Sequence, residues 1–507
     1  MSGIRIGLDV GTTIVKVAAY NDQGHLIARS DAANPVSRPH PGWSEQDMTE
    51  VWERTADCLS RLVDRLRAAG HETHDITSVG MCAQGDGLWM LDGNCQPVGP
   101  AMLWNDTRAG ELIPDDMSGD RQRQIAEACH TANWPGTSGS LIEWIVRHEP
   151  QRADACRHIV TCVDWIGFML TGVIAQDFAN ASIPFLDLKS RTWSQGVLAA
   201  FGIEEMSDRL PHLQSATNVL GQVTKEAALV TGLPDGLPVS TGTMDLSALL
   251  VGNGMREPGD TLISLGTTAV LAILTDSVPA TDNVVGATAL HPTANTLTRI
   301  FGPATGTGTF DWFTSLHPST LSGANVDQVA DKLNEIVSEV PPGANGVLFH
   351  PYLNGERAPF VAPDARGSFN GLTPSTTTAE MGRAVMEGVA FSLRHCFEAE
   401  GVRPKSTIRL TGGGSHNPVW CEILADVLGV EVSVSSAADH GLWGAACIGA
   451  AAVGHGDACD LANRDEESRL YRPAPSQHEA YSQIFGKYQA VADASREIWA
   501  ALSAKGH

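Results

Sequence analysis

The segment at residues 9–13, Asp-Val-Gly-Thr-Thr, is the first place where residue types and spacing suggest chemistry, and Lys16 lies just beyond it. A glycine and two hydroxyl residues in a tight hairpin can direct backbone N–H groups and hydroxyls towards phosphate oxygens. Asp9 would hold Mg²⁺ through water, because magnesium prefers carboxylate oxygens and keeps most of its water shell. The alternative is an ordinary β-turn. The Walker pattern is absent, and no Gly-x-Gly-x-x-Gly follows the first strand, so a P-loop protein is excluded and a Rossmann dehydrogenase is disfavoured.

A second carboxylate, Asp245, ends the segment Gly-Thr-Met-Asp at residues 242–245. A strand is predicted at residues 237–241, and the apolar run 246–251 follows. A carboxylate at a strand–helix junction commonly caps the helix N-terminus. The functional alternative is a general base at a domain junction. The residues alone leave both interpretations open.

Three consecutive glycines at residues 412–414 separate an apolar strand, 408–410, from a helix predicted to begin at about Pro418. Glycines let the backbone approach a flat or charged ligand closely, and the amides of a helix N-terminus can face a nucleotide. The alternative is a flexible loop. Because ordering three glycines is entropically costly, the pattern favours ligand binding.

Two polar segments are Gln-Gly-Asp-Gly at residues 84–87 and Trp-Asn-Asp-Thr-Arg at residues 104–108. Clustered amide, carboxylate and guanidinium groups near an aromatic ring suit a polyhydroxylated ligand, since each hydroxyl needs a donor and an acceptor. The alternative for each segment is a polar loop whose hydrogen bonds are satisfied within the protein.

The charge balance limits the class of partner. Lys and Arg number 34 and Asp and Glu number 58, so the formal net charge is −24. A nucleic-acid binder normally carries a basic stripe, and an acidic protein is disfavoured at anionic membranes. The chain shows no signal-peptide pattern, no run of ~18 apolar residues and no Cys-x-x-Cys pair among its ten cysteines. The expectation is a cytoplasmic protein that binds a small molecule, and neither nucleic acid nor membrane.

The elements that must position these residues are strands mixed with helices. Residues 4–10 and 15–19 alternate as strands on either side of the first turn, and residues 25–29 add a third strand. Helical spacing appears later, at residues 381–393 and 481–491. This mixture indicates an α/β architecture.

A second Gly-Thr-Thr turn, at residues 266–268, follows the apolar run 262–265 and lies 255 residues after the first. The shared strand–turn–strand context predicts two similar domains, with coincidence as the alternative. Duplicated domains commonly hold a ligand in the cleft between them.

The most specific motif lies in the second half of the chain. It consists of Gly-Ser-Phe-Asn-Gly-Leu at residues 367–372, Glu-Met at 380–381 and Ala-Val-Met-Glu at 384–387. It is preceded by Glu-Arg-Ala-Pro at 356–359 and Asp-Ala-Arg-Gly at 364–367. These segments resemble the FGGY carbohydrate kinase family, whose C-terminal signature they match. The other candidate segments occur in family order over nearly the whole chain.

The resemblance implies an α/β fold of two actin-like ATPase domains with ribonuclease-H-like topology and a catalytic cleft between them. Residues 1–246 would form the first domain, with the sugar site, the first phosphate loop and the catalytic base. Residues 247–455 would form the second domain, with the second phosphate loop and the adenosine site, and residues 456–507 a helical segment. The implied activity is ATP- and Mg²⁺-dependent phosphorylation of a terminal primary hydroxyl on a small linear sugar or polyol, such as xylulose or erythritol. The expected partner is the small-molecule sugar or polyol, and the sequence does not decide whether the protein forms a homodimer.

The resemblance also assigns roles to individual residues. Asp245 is the catalytic base and also a sugar contact, and Asp9 is the metal ligand. The residues assigned to ATP and its phosphates are Gly11, Thr12, Thr13, Lys16, Gly266, Thr267, Thr268, Gly412, Gly413 and Asn417. The further residues assigned to the sugar are Gln84, Asp86, Trp104 and Asp106.

One position departs from the family pattern. Members usually have Lys three residues before a Trp, and here Leu141 precedes Trp144. The segment at 84–87 is similar to the erythritol kinase and L-xylulose kinase branch, which weakens a D-xylulokinase assignment. Because a pocket carboxylate at Asp86 repels anions, the sequence predicts a neutral linear acceptor of four or five carbons rather than an aldonate.

Two other classes of protein compete with the sugar kinase. A chaperone or filament ATPase could share the fold, but the signature and the sugar-pocket residues argue against it. A non-catalytic sugar sensor is disfavoured because both Asp9 and Asp245 are present.

Overall fold

The computed structural model describes residues 3–113, 119–278, 284–316, 335–402, 404–405, 407–437, 439–464 and 467–503. The chain divides into two compact units, each assembled from several stretches of sequence. The first unit comprises Met1–Glu257, Asp276–Thr298 and Ala438–Asp465. The second comprises Pro258–Thr275, Arg299–Ala437 and Glu466–His507.

The helices whose bounds lie in the described ranges are numbered in chain order. They are α1 Met48–Ala68, α2 Asp120–Cys129, α3 Ser138–His148, α4 Pro150–Ala155, α5 Cys162–Thr171, α6 Phe178–Ala181, α7 Gln195–Phe201, α8 Lys225–Thr231, α9 Asp245–Gly252, α10 Thr307–Ser315, α11 Thr378–Glu400, α12 Pro418–Leu428, α13 His440–Ala452, α14 Ala458–Ala462, α15 Pro475–Ala494 and α16 Arg496–Ser503. None of them is long and apolar enough to cross a membrane.

The strands of the described ranges are numbered in the same way. The first fifteen are β1 Ile4–Val10, β2 Ile14–Tyr20, β3 Leu26–Ala33, β4 Glu45–Gln46, β5 Ile76–Ala83, β6 Trp89–Leu91, β7 Ala101–Met102, β8 His158–Val160, β9 Ala175–Asp177, β10 Leu186–Asp187, β11 Thr192–Trp193, β12 His212–Gln214, β13 Val219–Gln222, β14 Pro238–Ser240 and β15 Thr243–Met244. The others are β16 Thr261–Leu265, β17 Ala269–Thr275, β18 Ala287–Leu290, β19 Leu297–Phe301, β20 Leu348–His350, β21 Ser368–Asn370, β22 Thr407–Thr411, β23 Glu431–Ser435 and β24 Ser468–Tyr471.

The main sheet of the first unit has the order β13–β14–β5–β1–β2–β3, with β15 also paired to β5. Strands β1 and β2 form an antiparallel hairpin, while β1, β5 and β15 run parallel. Strand β1 forms because its side chains Ile4, Ile6, Leu8 and Val10 alternate with other residues and are all buried in the core.

Helix α13 covers the other face of this sheet at very short range. A Cβ atom on Gly7 would lie 2.0 Å from the Leu442 carbonyl oxygen, and one on Gly80 would lie 1.7 Å from that of Ala445. Only glycine permits such an approach, so the glycines of β1 and β5 dock the helix backbone directly onto the strands. Residue Gly444 of α13 packs equally closely against α9.

The second unit contains a sheet with the same local pattern. Six of its seven strands are ordered β19–β17–β16–β22–β23–β24. Strands β16 and β17 form an antiparallel hairpin around residues 266–268, and β16 pairs in parallel with β22. The pairing repeats that of β2, β1 and β5 in the first unit, so the predicted duplication of the strand–turn–strand motif is confirmed.

Each compact unit combines stretches that are far apart in the sequence. Helix α13 lies in the stretch predicted for the second domain, but it packs within the first unit because its small residues fit the glycines of β1 and β5. The segment 456–507, predicted to be helical, contains α14 to α16 and also β24, which pairs antiparallel with β23.

Candidate active site

Polar residues lie at the carboxyl ends of three parallel strands of the first unit, β1, β5 and β15. Asp9 in β1 is in register with Cys82 in β5, and Cys82 is in register with Thr243 in β15. Asp245 follows β15 directly and is the first residue of α9. Because the carboxyl ends of parallel strands meet at one edge, Asp9 and Asp245 lie in the same neighbourhood.

Asp9 is a carboxylate with one oxygen in use. Its Oδ2 lies 3.8 Å from the Lys16 ammonium, across the β1–β2 pair, while Oδ1 is buried and has no hydrogen-bond partner. Burial raises the pKa of Asp9 to about 7, with Lys16 opposing the shift and the charge of Asp245 adding to it. The negative charge of Asp245 therefore disfavours ionisation of Asp9.

Lys16 is shared between two carboxylates. Its ammonium lies 3.6 Å from Asp439 as well as 3.8 Å from Asp9. Asp439 precedes α13 with a left-handed backbone (φ 55°) and also pairs with Arg29. The positive charge at the first turn is thus already matched by acidic groups of the protein.

The first Gly-Thr-Thr turn closes the hairpin between β1 and β2 and is held from outside. The Gly11 N–H donates to the Ile14 carbonyl at 3.1 Å, and Asn34 Nδ2 donates to the Gly11 carbonyl at 2.8 Å. Gln46 Nε2 donates to the Thr12 carbonyl at 2.9 Å, and Thr13 is exposed. Fixing the carbonyls leaves a rigid, partly exposed turn, as a phosphate loop requires.

The side chain of Thr12 joins the turn to two residues predicted to contact a sugar. Its hydroxyl donates to Gln84 Oε1 at 2.9 Å and accepts from Trp104 Nε1 at 3.2 Å. Gln84 is buried, and its Nε2 donates to Gln46 Oε1 at 2.7 Å. In this structure Gln84 and Trp104 brace the turn through Thr12.

Asp245 has the geometry of an available base. Its Oδ1 accepts from the Leu246 N–H at 2.7 Å, and its side chain is exposed. The cap position of α9 is occupied by Met244, so the carboxylate is not the N-cap that the alternative interpretation expected. Although solvent reaches Asp245, desolvation by the protein around it raises the pKa of the carboxyl group.

Asp86 is held at one oxygen only. Its Oδ1 accepts from the N–H and the hydroxyl of Ser138, at 3.0 and 3.1 Å, while Oδ2 is buried without a partner. Its backbone is left-handed (φ 56°), and burial raises its pKa to about 7. A buried oxygen without a partner costs free energy, so it favours an incoming hydroxyl donor.

Asp106 has a different environment. It is fully buried, and its two oxygens accept from the Ser44 N–H and from the backbone and guanidinium of Arg108. Arg108 in turn donates to Glu45 and stacks 3.7 Å from the centroid of the Trp43 ring. Asp106 therefore does not lie at an open surface. Its carboxylate holds the guanidinium of Arg108 in place.

The second unit presents its own Gly-Thr-Thr turn with a supporting loop. Thr267 and Thr268 are exposed at the tip of the β16–β17 hairpin. The Thr307 N–H donates to the Gly266 carbonyl at 2.7 Å, and a Cβ on Gly306 would lie 2.3 Å from that same oxygen. The turn is therefore fixed from outside, as its counterpart is in the first unit.

The glycine run after β22 lies against the same hairpin. Gly412 has a positive φ of 86°, and a Cβ on it would lie 2.7 Å from the carbonyl oxygen of Leu265, the residue before Gly266. Gly413 is exposed and faces open space. Asn417 caps α12, because its Oδ1 accepts from the Trp420 N–H at 3.2 Å.

Comparison with known proteins decides the family. A model of the N-terminal domain of the FGGY family of carbohydrate kinases matches residues 4–252, and a model of the C-terminal domain matches residues 261–453. The chain belongs to the FGGY family of carbohydrate kinases. The predicted family, enzyme class and two-domain, actin-like α/β fold are thereby confirmed.

Named relatives of this FGGY kinase align over nearly its whole length. A xylulose kinase of Klebsiella pneumoniae is 31% identical, with 95% of this chain and 98% of that protein aligned. An erythritol kinase of Brucella abortus is 28% identical, with 99% and 98% aligned. The crystal structure of a xylulose kinase from Rhodospirillum rubrum superposes with a TM-score of 0.86 at 27% identity, covering 98% of this chain and 99% of that one.

The position that departs from the family pattern is part of the core of this kinase. Leu141 lies in α3, is fully buried and packs in an apolar cluster with Ile125, Ile145 and Phe201. Where the resemblance predicts a Lys, this chain therefore has an apolar side chain that packs in the core.

Sequence reasoning missed several residues that support the site of the FGGY kinase. Asp177 is buried, accepts from the Thr243 hydroxyl at 2.8 Å and caps α6. Ser138 holds Asp86, and Asp439 holds Lys16. The signal available for Asp177 is a lone Asp at the end of a short strand. Only the fold shows which side chain each of these residues meets.

Proposed function

We propose that this FGGY kinase transfers the γ-phosphoryl group of Mg–ATP to a terminal primary hydroxyl of a small, neutral, linear sugar or polyol. The observation that carries the proposal is Asp245: a carboxylate with one oxygen held by a backbone N–H and a side chain open to solvent. It lies at the same sheet edge as Asp9 and a rigid phosphate-type turn. Phosphoryl transfer depends mainly on positioning and charge neutralisation, which this arrangement supplies.

Asp245 acts as the general base. Desolvation raises the pKa of Asp245 towards neutral pH. A general base works best when its pKa lies near the working pH, because it is then ionised and still basic enough to take up a proton. The acceptor oxygen forms the new O–P bond while its proton passes to Asp245. The bond between the γ-phosphorus and the bridging oxygen breaks, and ADP leaves with that electron pair.

Asp9 fits a water-mediated magnesium ion. Its buried Oδ1 lacks a partner, and Mg²⁺ prefers carboxylate oxygen through retained water. When bound with ATP, magnesium would neutralise charge on the phosphate oxygens. Gly11, Thr12 and Thr13 would grip phosphate oxygens in the first unit, as would Gly266, Thr267 and Thr268 in the second. Gly412, Gly413 and Asn417 would lie along the adenosine.

The acceptor class follows from Asp86. Its unpartnered Oδ2 favours a hydroxyl donor and repels an anion, so a neutral polyol or pentulose of four or five carbons is preferred over a hexonate. The names of two aligned relatives, a xylulose kinase and an erythritol kinase, support that class. Trp104 would contact the acceptor by packing rather than by a hydrogen bond, since its N–H donates to Thr12.

The test is ADP release measured with a panel of tetritols, pentitols, pentuloses and hexonates, with and without Mg²⁺. We expect turnover to require Mg²⁺ and an acceptor, and the highest kcat/KM for a neutral four- or five-carbon compound. A hexonate that exceeds every neutral compound would contradict the acceptor class. ATP turnover that no acceptor increases would contradict the kinase and favour an actin- or chaperone-like ATPase.

A further inference from the structure

The cation of the first phosphate loop is already neutralised within the protein. Lys16 lies within 4 Å of two carboxylates, Asp9 and Asp439, and the whole chain carries a net charge of −24. The triphosphate of ATP adds further negative charge. A protein with this balance must place a cation locally where the phosphate charge develops.

Arg357, from the Glu-Arg-Ala-Pro motif, has a guanidinium group that is anchored at one end. Its Nε donates to the Gly302 carbonyl. Within the described part of the chain its two terminal nitrogens make no hydrogen bond and no ion pair, and the side chain is exposed. Surrounding protein lowers the pKa of Arg357 although solvent reaches it, which indicates a guanidinium in a confined, partly dehydrated place.

Glu356 ties this motif to the loop that follows β19. Its Oε1 accepts from the N–H groups of Ala304 and Arg357, both at 2.8 Å, and from that of Ala358 at 3.3 Å. Its carboxyl group is buried, and burial raises its pKa to about 7. The backbone of Arg357 is thus fixed relative to residue 304.

The same loop is bound to the second phosphate-type turn. The Ala269 N–H donates to the Thr305 carbonyl at 2.8 Å, and the Thr307 N–H donates to the Gly266 carbonyl at 2.7 Å. From Gly302, which holds the guanidinium, to Gly306, which touches Gly266, the chain runs four residues, or at most about 14 Å if fully extended. A folded loop is shorter, so the carbonyl that holds the guanidinium lies within about 14 Å of the residue that contacts the second turn.

We propose that Arg357 is a catalytic residue whose terminal nitrogens contact phosphoryl oxygens of the nucleotide held at residues 266–268. This inference rests on the proposed kinase function. A guanidinium presents paired N–H donors that match phosphate geometry, and its charge counters the charge that spreads over the phosphoryl oxygens during transfer. Arg357 exchanges neither a proton nor an electron: the hydroxyl proton goes to Asp245, and the leaving electron pair stays with ADP.

The decisive variant is Arg357→Gln, with Arg357→Lys beside it. We expect Arg357→Gln to lower kcat at least ~100-fold, the range seen when one preorganised donor to the reacting group is removed. Calorimetric affinity should fall for ATP and stay unchanged for adenosine, which carries no phosphate. Arg357→Lys keeps the charge without the paired donors, so it should recover only part of kcat.

The matched control is Arg472→Gln, which removes the same charge from an exposed surface pair with Glu431 in the same unit. It should leave kcat and both affinities at the wild-type level. Wild-type kcat and ATP affinity in Arg357→Gln would overturn the proposal. If Arg357→Gln does not fold, the same result in Arg357→Lys would overturn the requirement for a guanidinium.

The binding measurement separates the two proposals. If the wild-type protein phosphorylates no acceptor while Arg357→Gln still loses affinity for ATP but not for adenosine, the kinase assignment fails and the phosphate contact stands. If the wild-type protein is an active kinase and Arg357→Gln matches it in kcat and affinity, only the role of Arg357 fails.

Discussion

Two carboxylates at one sheet edge, Asp9 and Asp245, carry the proposed chemistry. Their environments within the protein differ. Asp9 has a buried oxygen without a partner and faces Lys16, whereas Asp245 is exposed and uses one oxygen to accept a backbone N–H. The first environment suits a group that meets a cation through water, and the second suits a group that takes up a proton.

Replacing the base tests its role directly. Asp245→Asn keeps the size of the side chain but cannot accept the hydroxyl proton, so we expect turnover to fall at least ~10³-fold while acceptor affinity is retained. Turnover would be measured by coupled ADP release and affinity by calorimetry. Asp235→Asn, an exposed position in the same unit, is the control. A variant that keeps more than about a tenth of wild-type turnover would show that Asp245 is not the base.

The pH dependence follows from the raised pKa values. Both Asp9 and Asp245 must be ionised to act, and burial raises the pKa of Asp9 to about 7 and that of Asp245 above its usual value. As pH falls through these values the carboxylates take up protons, so kcat/KM should decrease on the acid side of neutrality. Bound Mg²⁺ favours ionised Asp9, so saturating Mg²⁺ should shift the descending limb to lower pH. A profile that is flat from about pH 5 to about pH 8 would contradict both assignments.

At the scale of elements, β15 is the strand that places the base, and it is secured from the side. Thr243 donates to the buried carboxylate of Asp177, whose other oxygen accepts from Asn180 in α6 at 2.6 Å. Burial raises the pKa of Asp177, so that carboxyl group depends on its donors. The position of Asp245, two residues after Thr243, is therefore coupled to α6.

Thr243→Val removes one donor from this arrangement at nearly constant volume. We expect a loss of about 1–3 kcal/mol in stability, because a buried acceptor loses a partner, together with a lower kcat as β15 shifts. Thermal unfolding and steady-state kinetics would measure the two effects. Thr243→Ser keeps the hydroxyl and should stay close to wild type in both. If Thr243→Val unfolds and turns over like wild type, β15 does not depend on Asp177.

At the scale of the whole molecule, each compact unit is built from stretches that are not continuous in sequence. Helix α13 follows most of the second unit in sequence but packs on β1 and β5 of the first, where Gly7 and Gly80 admit its backbone. The first unit therefore completes its core only after residues near the end of the chain have been synthesised.

This exchange predicts how fragments behave. A chain ending at residue 257 lacks α13 and exposes the glycine-rich sheet face, so we expect it to show no cooperative thermal transition by circular dichroism. Joining residues 276–298 and 438–465 to it through flexible Gly/Ser linkers should restore a cooperative transition. The same fusion with Gly444→Val is the control, because a Cβ there would lie 1.9 Å from the Ala248 carbonyl oxygen. Cooperative unfolding of the chain ending at residue 257 would contradict the prediction.

The sequence by itself determined the family, the α/β class and the two Gly-Thr-Thr hairpins, because these depend on local patterns: alternation of apolar residues, turn residues and a signature of fixed spacing. It also indicated Asp9 and Asp245, which follow or end strands whose periodicity is visible.

The tertiary structure alone decided which polar side chains keep an atom without a hydrogen-bond partner. Asp86 and Asp106 look equivalent as letters, yet Asp86 keeps an unpartnered oxygen and Asp106 is saturated by Ser44 and Arg108. It also decided that Lys16 is neutralised by Asp439, more than 400 residues away, and that Leu141 is core. Hydrogen-bond saturation and burial depend on contacts between distant segments, and local sequence carries no record of them.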